Sequence, residues 1–366
     1  MTRINILTPQ IPIRRGFNDF YPILKWENSF KKKNIKFRFY SHHLNPKLLE
    51  CDVFLLDYRY YQFLAKSRYK IPGNHKYDSE FFILEVIESA KQKGCRVVLF
   101  DTGDSGGSST SHITPFVDIH LKKQIFKDLS YYTERKSYNL MVWLPPGLKE
   151  TRKLEFTPLK EKDVEKLRLG WNIGLLDYRW FPFKSFLPIG NSMILPGYYQ
   201  KVRMRNPNSH KKYLLSYRGN SNKHESYDYQ RNLASERLKN MRRDDILVGG
   251  KVSFSQYMKE QRDSKITLSP FGWGEICYRD FESVVNGSLL LKPKMDHLNT
   301  YPDFFKNGET YVSTNWDFSD LKEKLVEVSS NYERYISIIK NFQALFSHHQ
   351  NSSRAFLEHF EKSVLS

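Results

Sequence analysis

Four polar side chains, Glu275, Arg279, Glu282 and Asn286, follow one another at spacings of four, three and four residues. On a helix such spacing stacks them in one stripe. Gly272 and Gly274 stand just ahead of the stripe, after Ser269 at the end of an apolar run. Glycines at a helix start let a diphosphate approach free N–H groups and the positive end of the helix dipole. Arg279 would then neutralise phosphate oxygens, and Glu282, one turn on, would accept both hydroxyls of a ribose. The bland alternative is a solvated ladder of ion pairs, each worth only about 0.3 kcal/mol. The flanking glycines and the strand-to-strand setting favour a site that holds a nucleotide diphosphate.

A second chemical locus lies in the first third, where Asp101 and Asp104 begin a Gly/Ser-rich loop ending at His112. A group-transfer site needs a base to deprotonate an acceptor hydroxyl, and these two carboxylates are the candidates, with His112 and His120 as alternatives. Turn chemistry explains the aspartates equally well, Asp101 as a strand-end cap and Asp104 as an Asx-turn. Two carboxylates with two residues between them are too few to hold a divalent cation by themselves, so no metal is expected. Arg14 and Arg15, after the first strand, are candidates for touching an anionic acceptor. His42–His43 and His348–His349 are adjacent pairs whose rings point apart, and these four, together with His112 and His120, read as surface histidines.

These residues need a scaffold, and the hydrophobic pattern supplies one. Strands are expected over Arg3–Thr8, Ile35–Tyr40, Asp52–Asp57 and Arg96–Asp101, with helices over Asp19–Lys33 and Ser79–Lys93, the latter closed by Gly94. The rhythm breaks between about 141 and 212, which is rich in proline and basic residues and reads as connecting structure. It resumes with strands Tyr213–Tyr217, Asp245–Val248, Lys265–Ser269 and Ser288–Lys292, and helices Tyr227–Met241, Ser253–Gln261 and Glu275–Asn286. The expectation is an α/β protein with an N-terminal unit over 1–140 and a second over 213–317. Helices over 318–366 would pack back on the first. In open α/β sheets ligands bind outside the carboxyl ends of strands, where both candidate loops fall.

Composition narrows the partners. The chain has 366 residues, 40% hydrophobic, with 26 Phe and 23 Tyr, enough apolar matter to fold as two domains. With 58 Lys+Arg against 40 Asp+Glu the net charge is +18, which favours polyanions: nucleic acid, anionic lipid or phosphorylated small molecules. Lys25, Lys31, Lys32, Lys33, Lys36 and Arg38 make one region strongly basic, a solvated face or a patch for an anionic membrane. Cys51, Cys95 and Cys277 are too few and too scattered for a disulfide framework or a paired-cysteine zinc site, and fit a reducing cytosol. No apolar run is long enough to span a bilayer and no secretion signal is apparent. The expected location is cytoplasmic, at most peripheral to the inner face of a membrane.

Ser269-Pro-Phe-Gly272, Arg279 three residues before Glu282, and Asn286-Gly-Ser-Leu-Leu-Leu resemble the donor-nucleotide motif of GT-B glycosyltransferases, most closely the exostosin-like branch. Tyr213-Leu-Leu-Ser-Tyr-Arg218-Gly219-Asn220 is similar to the strand-Arg-Gly turn that opens the donor domain there. The resemblance covers about residues 210–315. It implies two Rossmann-like domains facing across a cleft, a nucleotide-diphosphate sugar held mainly by the C-terminal one, no cofactor and no obligatory metal. By the same resemblance Arg218, beside Gly219, and Arg279 would contact the diphosphate and Glu282 the ribose. Glu275, with the Gly272–Gly274 turn, would meet the sugar or phosphates. Many retaining members separate two glutamates by seven residues, whereas Glu275 and Glu282 have six between them, so an inverting transfer to a glycan or lipid-linked glycan is expected. A nucleic-acid-binding protein, or a sugar-nucleotide epimerase or phosphoglycan transferase of the same fold, are the competing readings.

Overall fold

The computed structural model describes residues 1–9, 19–60, 79–107, 110–134, 157–178, 202–219 and 225–366; Arg14 and Arg15 lie outside them. The first half is a parallel sheet of six strands: β1 (Thr2–Leu7), β2 (Ile35–Tyr40), β3 (Val53–Asp57), β4 (Arg96–Asp101), β5 (Ile119–Lys122) and β7 (Leu167–Leu169). Their spatial order is β2-β1-β3-β4-β5-β7. Strands buried on both faces read as continuous apolar runs, and Val97–Phe100 is such a run, fully covered. One face packs on the helix Ser79–Gln92 through Ile83 and Ile87. The other receives Phe356, Phe360 and Val364 from the C-terminal end of the chain. The helix Ser353–Phe360 thus belongs spatially to the first half, reinforced by a Lys33–Glu361 ion pair of 2.9 Å.

The second half holds β8 (Tyr213–Arg218), β9 (Ile246–Gly249), β10 (Ser264–Leu268), β11 (Leu289–Pro293) and β13 (Val312–Thr314), all parallel, in the order β13-β11-β10-β8-β9. Both halves are therefore Rossmann-like α/β units. In each the chain order reverses beside the first strand, between β1 and β3 and between β8 and β10. Those switch points, at the carboxyl ends, are where such sheets accept ligands.

The halves are joined by more than a linker. β6 (Gln124–Phe126) and β12 (Leu298–Thr300) pair antiparallel, one strand from each half. Around this ribbon lies a core shared by Ile125, Phe126 and Tyr132 on one side and Phe281, Phe304, Phe342 and Phe346 on the other.

Three elements differ from expectation for local reasons. The first helix is divided at Trp26 into Tyr21–Lys25 and Glu27–Lys32. The segment read as connecting structure contributes β7, whose three residues are too few to show a period. The helix expected from Glu275 begins at Tyr278, because Asp280 turns its carboxylate back onto the Cys277 N–H at 2.9 Å and fixes the N-cap there. No helix among the described residues is long and apolar enough to cross a membrane.

Candidate functional site

Two loops at the carboxyl ends of the two sheets touch. Gly272–Gly274 follows β10, and Gly103–Gly107 follows β4. A Cβ on Gly274 would lie 1.5 Å from the Asp104 carbonyl oxygen, so only glycine permits this approach. The next residue locks it. Glu275 is fully buried, and its carboxylate accepts from the Ser105 hydroxyl at 3.2 Å, the Gly106 N–H at 2.9 Å and the Gln124 amide at 3.0 Å. Gln124 also donates to the Asp104 carbonyl. Glu275 is therefore a strut between the halves and not a member of a helical stripe.

Arg279 and Glu282, both partly buried, sit a turn apart on the helix Tyr278–Val285, on the side of the helix Phe254–Arg262. The Arg279 guanidinium lies 5.4 Å from the centre of the Tyr217 ring and donates to the Arg218 carbonyl at 2.8 Å. Its Nε is buried with no hydrogen-bond partner. Glu282 accepts from the Tyr257 hydroxyl at 2.8 Å, and Gln261 donates to the same hydroxyl. Asn286 ends the helix and bonds Gln261 at 2.8 Å.

Arg231, from the helix Glu225–Asn240, completes the cationic side. Its guanidinium would stand 2.4 Å from a Cβ on Gly272, so it rests against the glycine turn. Burial raises the Tyr217 hydroxyl above its ordinary range, and Arg279 and Arg231 both pull it back. Nothing in the spacing of the motif pointed to Arg231, since it reaches the turn from another helix.

The remaining donor-side candidates are engaged within the fold. Arg218 forms a two-pronged pair with Glu260, at 2.7 and 2.8 Å. Gly219 presses on the Tyr217 hydroxyl, where a Cβ would come within 2.2 Å. Ser269 is fully buried and donates to Asp280, whose carboxylate also meets Lys292 at 3.0 Å with both side chains sealed from water. These residues bolt the helix bearing Arg279 onto the sheet.

Across the seam, Asp101 and Asp104 have different fates. Asp101 is buried and receives Lys122 at 2.7 Å, Thr110 at 3.1 Å and the Gly103 N–H at 2.9 Å. Burial alone would raise its carboxyl, but Lys122 and His120 overcome that and hold it far below the carboxylate range. His120 is fully buried between Thr110 and Thr114, and His112 lies beside it on the tight turn Ser111–Phe116. Asp104 instead has a side chain 49% exposed, 2.9 Å from Lys123 and 3.6 Å from Arg59. Partial burial raises it and the two cations lower it further, so it is ionised at neutral pH.

Asp104 belongs to a cluster that the sequence did not disclose. Asp19 pairs with Arg59 at 2.9 Å and Lys123 at 3.6 Å, and its carbonyl accepts from the Trp171 indole at 2.6 Å. Arg59, Asp104 and Lys123 come within three residues of the ends of β3, β4 and β5, and Asp19 stands just ahead of the helix Tyr21–Lys25, so three strand ends and one helix start deliver them to one place. Tyr278 faces them from the other half: burial and then Asp19 raise its hydroxyl, while Lys123 opposes. For Arg59, Asp104 and Lys123 the signal available beforehand was their position just past an apolar run, not their type; Asp19 carried no such signal. Among the described residues no group of three or more His, Cys, Asp or Glu is placed to hold a metal ion.

No protein-family model matches the chain, and no curated protein is similar to it at a significant level. Among solved structures it is similar to the Anabaena protein Alr3699/HepE, solved with UDP and glucose, at 8% identity and a TM-score of 0.45 over 100% of both chains. It is similar to an alpha-glucosyltransferase (AGT), solved with UDP, at 11% identity and a TM-score of 0.44 over 99% of both. A glycosyltransferase from Rickettsia africae ESF-5 matches at 10% identity and a TM-score of 0.48, over 100% of this chain and 99% of that one.

Proposed function

We propose that this chain is a glycosyltransferase that moves a sugar from a nucleotide diphosphate to a hydroxyl of a glycan or lipid-linked glycan. The observation that carries the reading is the Arg279 guanidinium: charged, fixed over Tyr217, and with a buried Nε that no protein group accepts from. It stands with Arg231 at the Gly272 turn, at the switch point of the second sheet. A phosphate oxygen supplies the missing acceptor and the opposite charge. Glu282, one turn on, is placed to accept ribose hydroxyls. Neutralising a leaving diphosphate with two arginines stabilises the charge that develops as the glycosidic bond breaks.

On the opposite side of the seam Asp104 is the base in this reading. It is ionised and exposed, whereas Asp101 is sealed beneath it by Lys122. A proton taken from the acceptor hydroxyl as it attacks gives a single displacement, hence inversion. The basic surface at Lys31, Lys32 and Lys36 would favour an acceptor carried on an anionic membrane.

Calorimetric titration with UDP, GDP, ADP and CMP tests the donor side. At least one diphosphate binds, Arg279→Ala abolishes its binding, and Glu282→Gln weakens it. No heat from any of the four would remove the reading. Asp104→Asn lowers turnover by about 10²–10⁴-fold with nucleotide binding intact. Product analysis with donor and no acceptor separates transfer from epimerisation.

A further inference from the structure

Two helices of the second half meet through polar side chains. Tyr257 and Gln261 stand one turn apart on the helix Phe254–Arg262, and Glu282 and Asn286 one turn apart at the end of the helix Tyr278–Val285. At four-residue spacing each pair lies on one face of its helix. The four side chains join in a single relay. Asn286 donates to the Gln261 side-chain carbonyl at 2.8 Å, Gln261 donates to the Tyr257 hydroxyl at 2.8 Å, and that hydroxyl donates to Glu282 Oε2 at 2.8 Å. Asn286 and Gln261 are 3% and 1% exposed, so the relay starts in the sealed core and ends at a half-buried carboxylate. Its direction is set by chemistry: with Gln261 donating to its oxygen, the Tyr257 hydroxyl turns its own proton to the carboxylate, which can only accept. Burial and then the Glu282 charge raise this hydroxyl well above its ordinary range, with Arg279 opposing, so it keeps the proton at neutral pH.

A satisfied buried relay of this kind rigidifies its members, and what it supplies here is a fixed direction for Glu282. We propose that Tyr257, backed by Gln261 and Asn286, is a positioning residue that holds the Glu282 carboxylate in the orientation that accepts the neighbouring 2′- and 3′-hydroxyls of a ribose. The site thereby selects ribonucleoside over 2′-deoxyribonucleoside diphosphates. Accepting two vicinal hydroxyls, one on each oxygen, demands a set carboxylate plane. A carboxylate has about four acceptor positions, so the Tyr257 bond orients it without exhausting it. The inference rests on the nucleotide-diphosphate reading of the site and adds to it the residue that decides how firmly the pentose is read.

Calorimetric titration of the full chain with UDP, GDP and ADP, each against its 2′-deoxy counterpart, tests it. In the wild type at least one ribonucleotide binds about tenfold or more tighter than its deoxy form, as loss of a hydrogen bond to a charged group requires. In Tyr257→Phe the ribonucleotide weakens more than the deoxy form, and the ratio falls to about threefold or less. Gln261→Leu, which keeps the hydroxyl but removes the donor that aims it, lowers the ratio part of the way and carries the comparison if Tyr257→Phe does not fold. A ratio in Tyr257→Phe equal to that of the wild type overturns the proposal. So does a loss shared equally by both sugars, which a merely structural role would produce. Nucleotide binding with no preference for ribose in the wild type removes the proposal and leaves the nucleotide reading standing. If no diphosphate binds in either form, that reading falls and the proposal with it.

Discussion

The glycine loops of the two halves rest on the same device put together differently. Beneath Gly103–Gly107 lies the buried pair Asp101–Lys122, both residues ending neighbouring strands. Beneath Gly272–Gly274 lies Asp280–Lys292, and here the aspartate comes from the helix and also caps it. The first pair ties loop to sheet. The second ties a whole helix, with Arg279 and Glu282 on it, to the sheet. A buried pair contributes less to net stability than to fixing geometry, so the difference concerns what is held still. On the N-terminal side the charges above the pair remain partly in water; on the C-terminal side the helix is held and the rings of Trp273 and Tyr278 are what water sees.

Removing one cation at a time breaks this comparison most strongly. Lys292→Met leaves Asp280 charged in a site closed to water, at a cost of about 3–5 kcal/mol. Each aspartate keeps two donors, Thr110 and the Gly103 N–H at Asp101 and Ser269 and the Cys277 N–H at Asp280, and Lys122→Met costs less because Asp101 also has His120 at 3.8 Å. Thermal unfolding of the two variants side by side measures the gap. A midpoint for Lys292→Met no lower than that of Lys122→Met would show that the helix is not held in the way described.

The glycines give the next effect. Gly274→Ala must push the two halves apart at the Asp104 backbone, costing about 1–3 kcal/mol. At Gly106 the nearest obstacle is the tip of Leu298, which can turn, and at Gly250 nothing lies within 4 Å. The expected order of destabilisation is Gly274→Ala, then Gly106→Ala, with Gly250→Ala near wild type in a urea titration. Glu275→Gln follows. It replaces an acceptor oxygen by an amide facing the Ser105, Gly106 and Gln124 donors, and a buried donor left unmet costs about 1–3 kcal/mol. Since Glu275 touches both halves, this variant should also broaden the unfolding transition, as the halves cease to melt together.

The parts of this architecture that are local in sequence were legible there. Runs such as Val97–Phe100 and Leu289–Leu291 announce buried parallel strands, and the positions of the two glycine loops follow from them. What Glu275 does was not legible. Its spacing from Arg279 fits a helix, yet three donors from residues 105 to 124 claim its carboxylate, and such a partnership has no local trace. The same holds for Arg231 at Gly272 and for Asp19, Arg59 and Lys123. Each is an ordinary charge on a loop or helix until topology gathers the strand ends. The division between Asp101 and Asp104 was equally hidden, because turn chemistry is the same for both and only Lys122 from the next strand tells them apart.

Acidification gives the smallest effect and sharpens the comparison by separating ion pairs from histidines. Burial lowers His359 and His349 from 6.5 to about 4. His359 stacks on Tyr301 with ring centres 3.5 Å apart and donates to the Gly170 carbonyl at 2.7 Å. A folded-state value below the unfolded one means that the unfolded chain takes the proton first. The stability these groups contribute is complete above pH 6.5 and is lost as pH falls toward 4. Asp101 behaves otherwise. Its folded value lies far under the ordinary 3.8, so its contribution is intact throughout that window and fades only below it. Thermal midpoints between pH 6.5 and 4 should therefore fall by a few degrees in the wild type and less in His359→Gln, whereas Asp101→Asn, which removes a carboxylate that does not titrate in that range, should run close to parallel to the wild type. If Asp101→Asn instead flattened the profile in that range, the acid response would belong to the N-terminal loop and not to the C-terminal helices packed on its sheet.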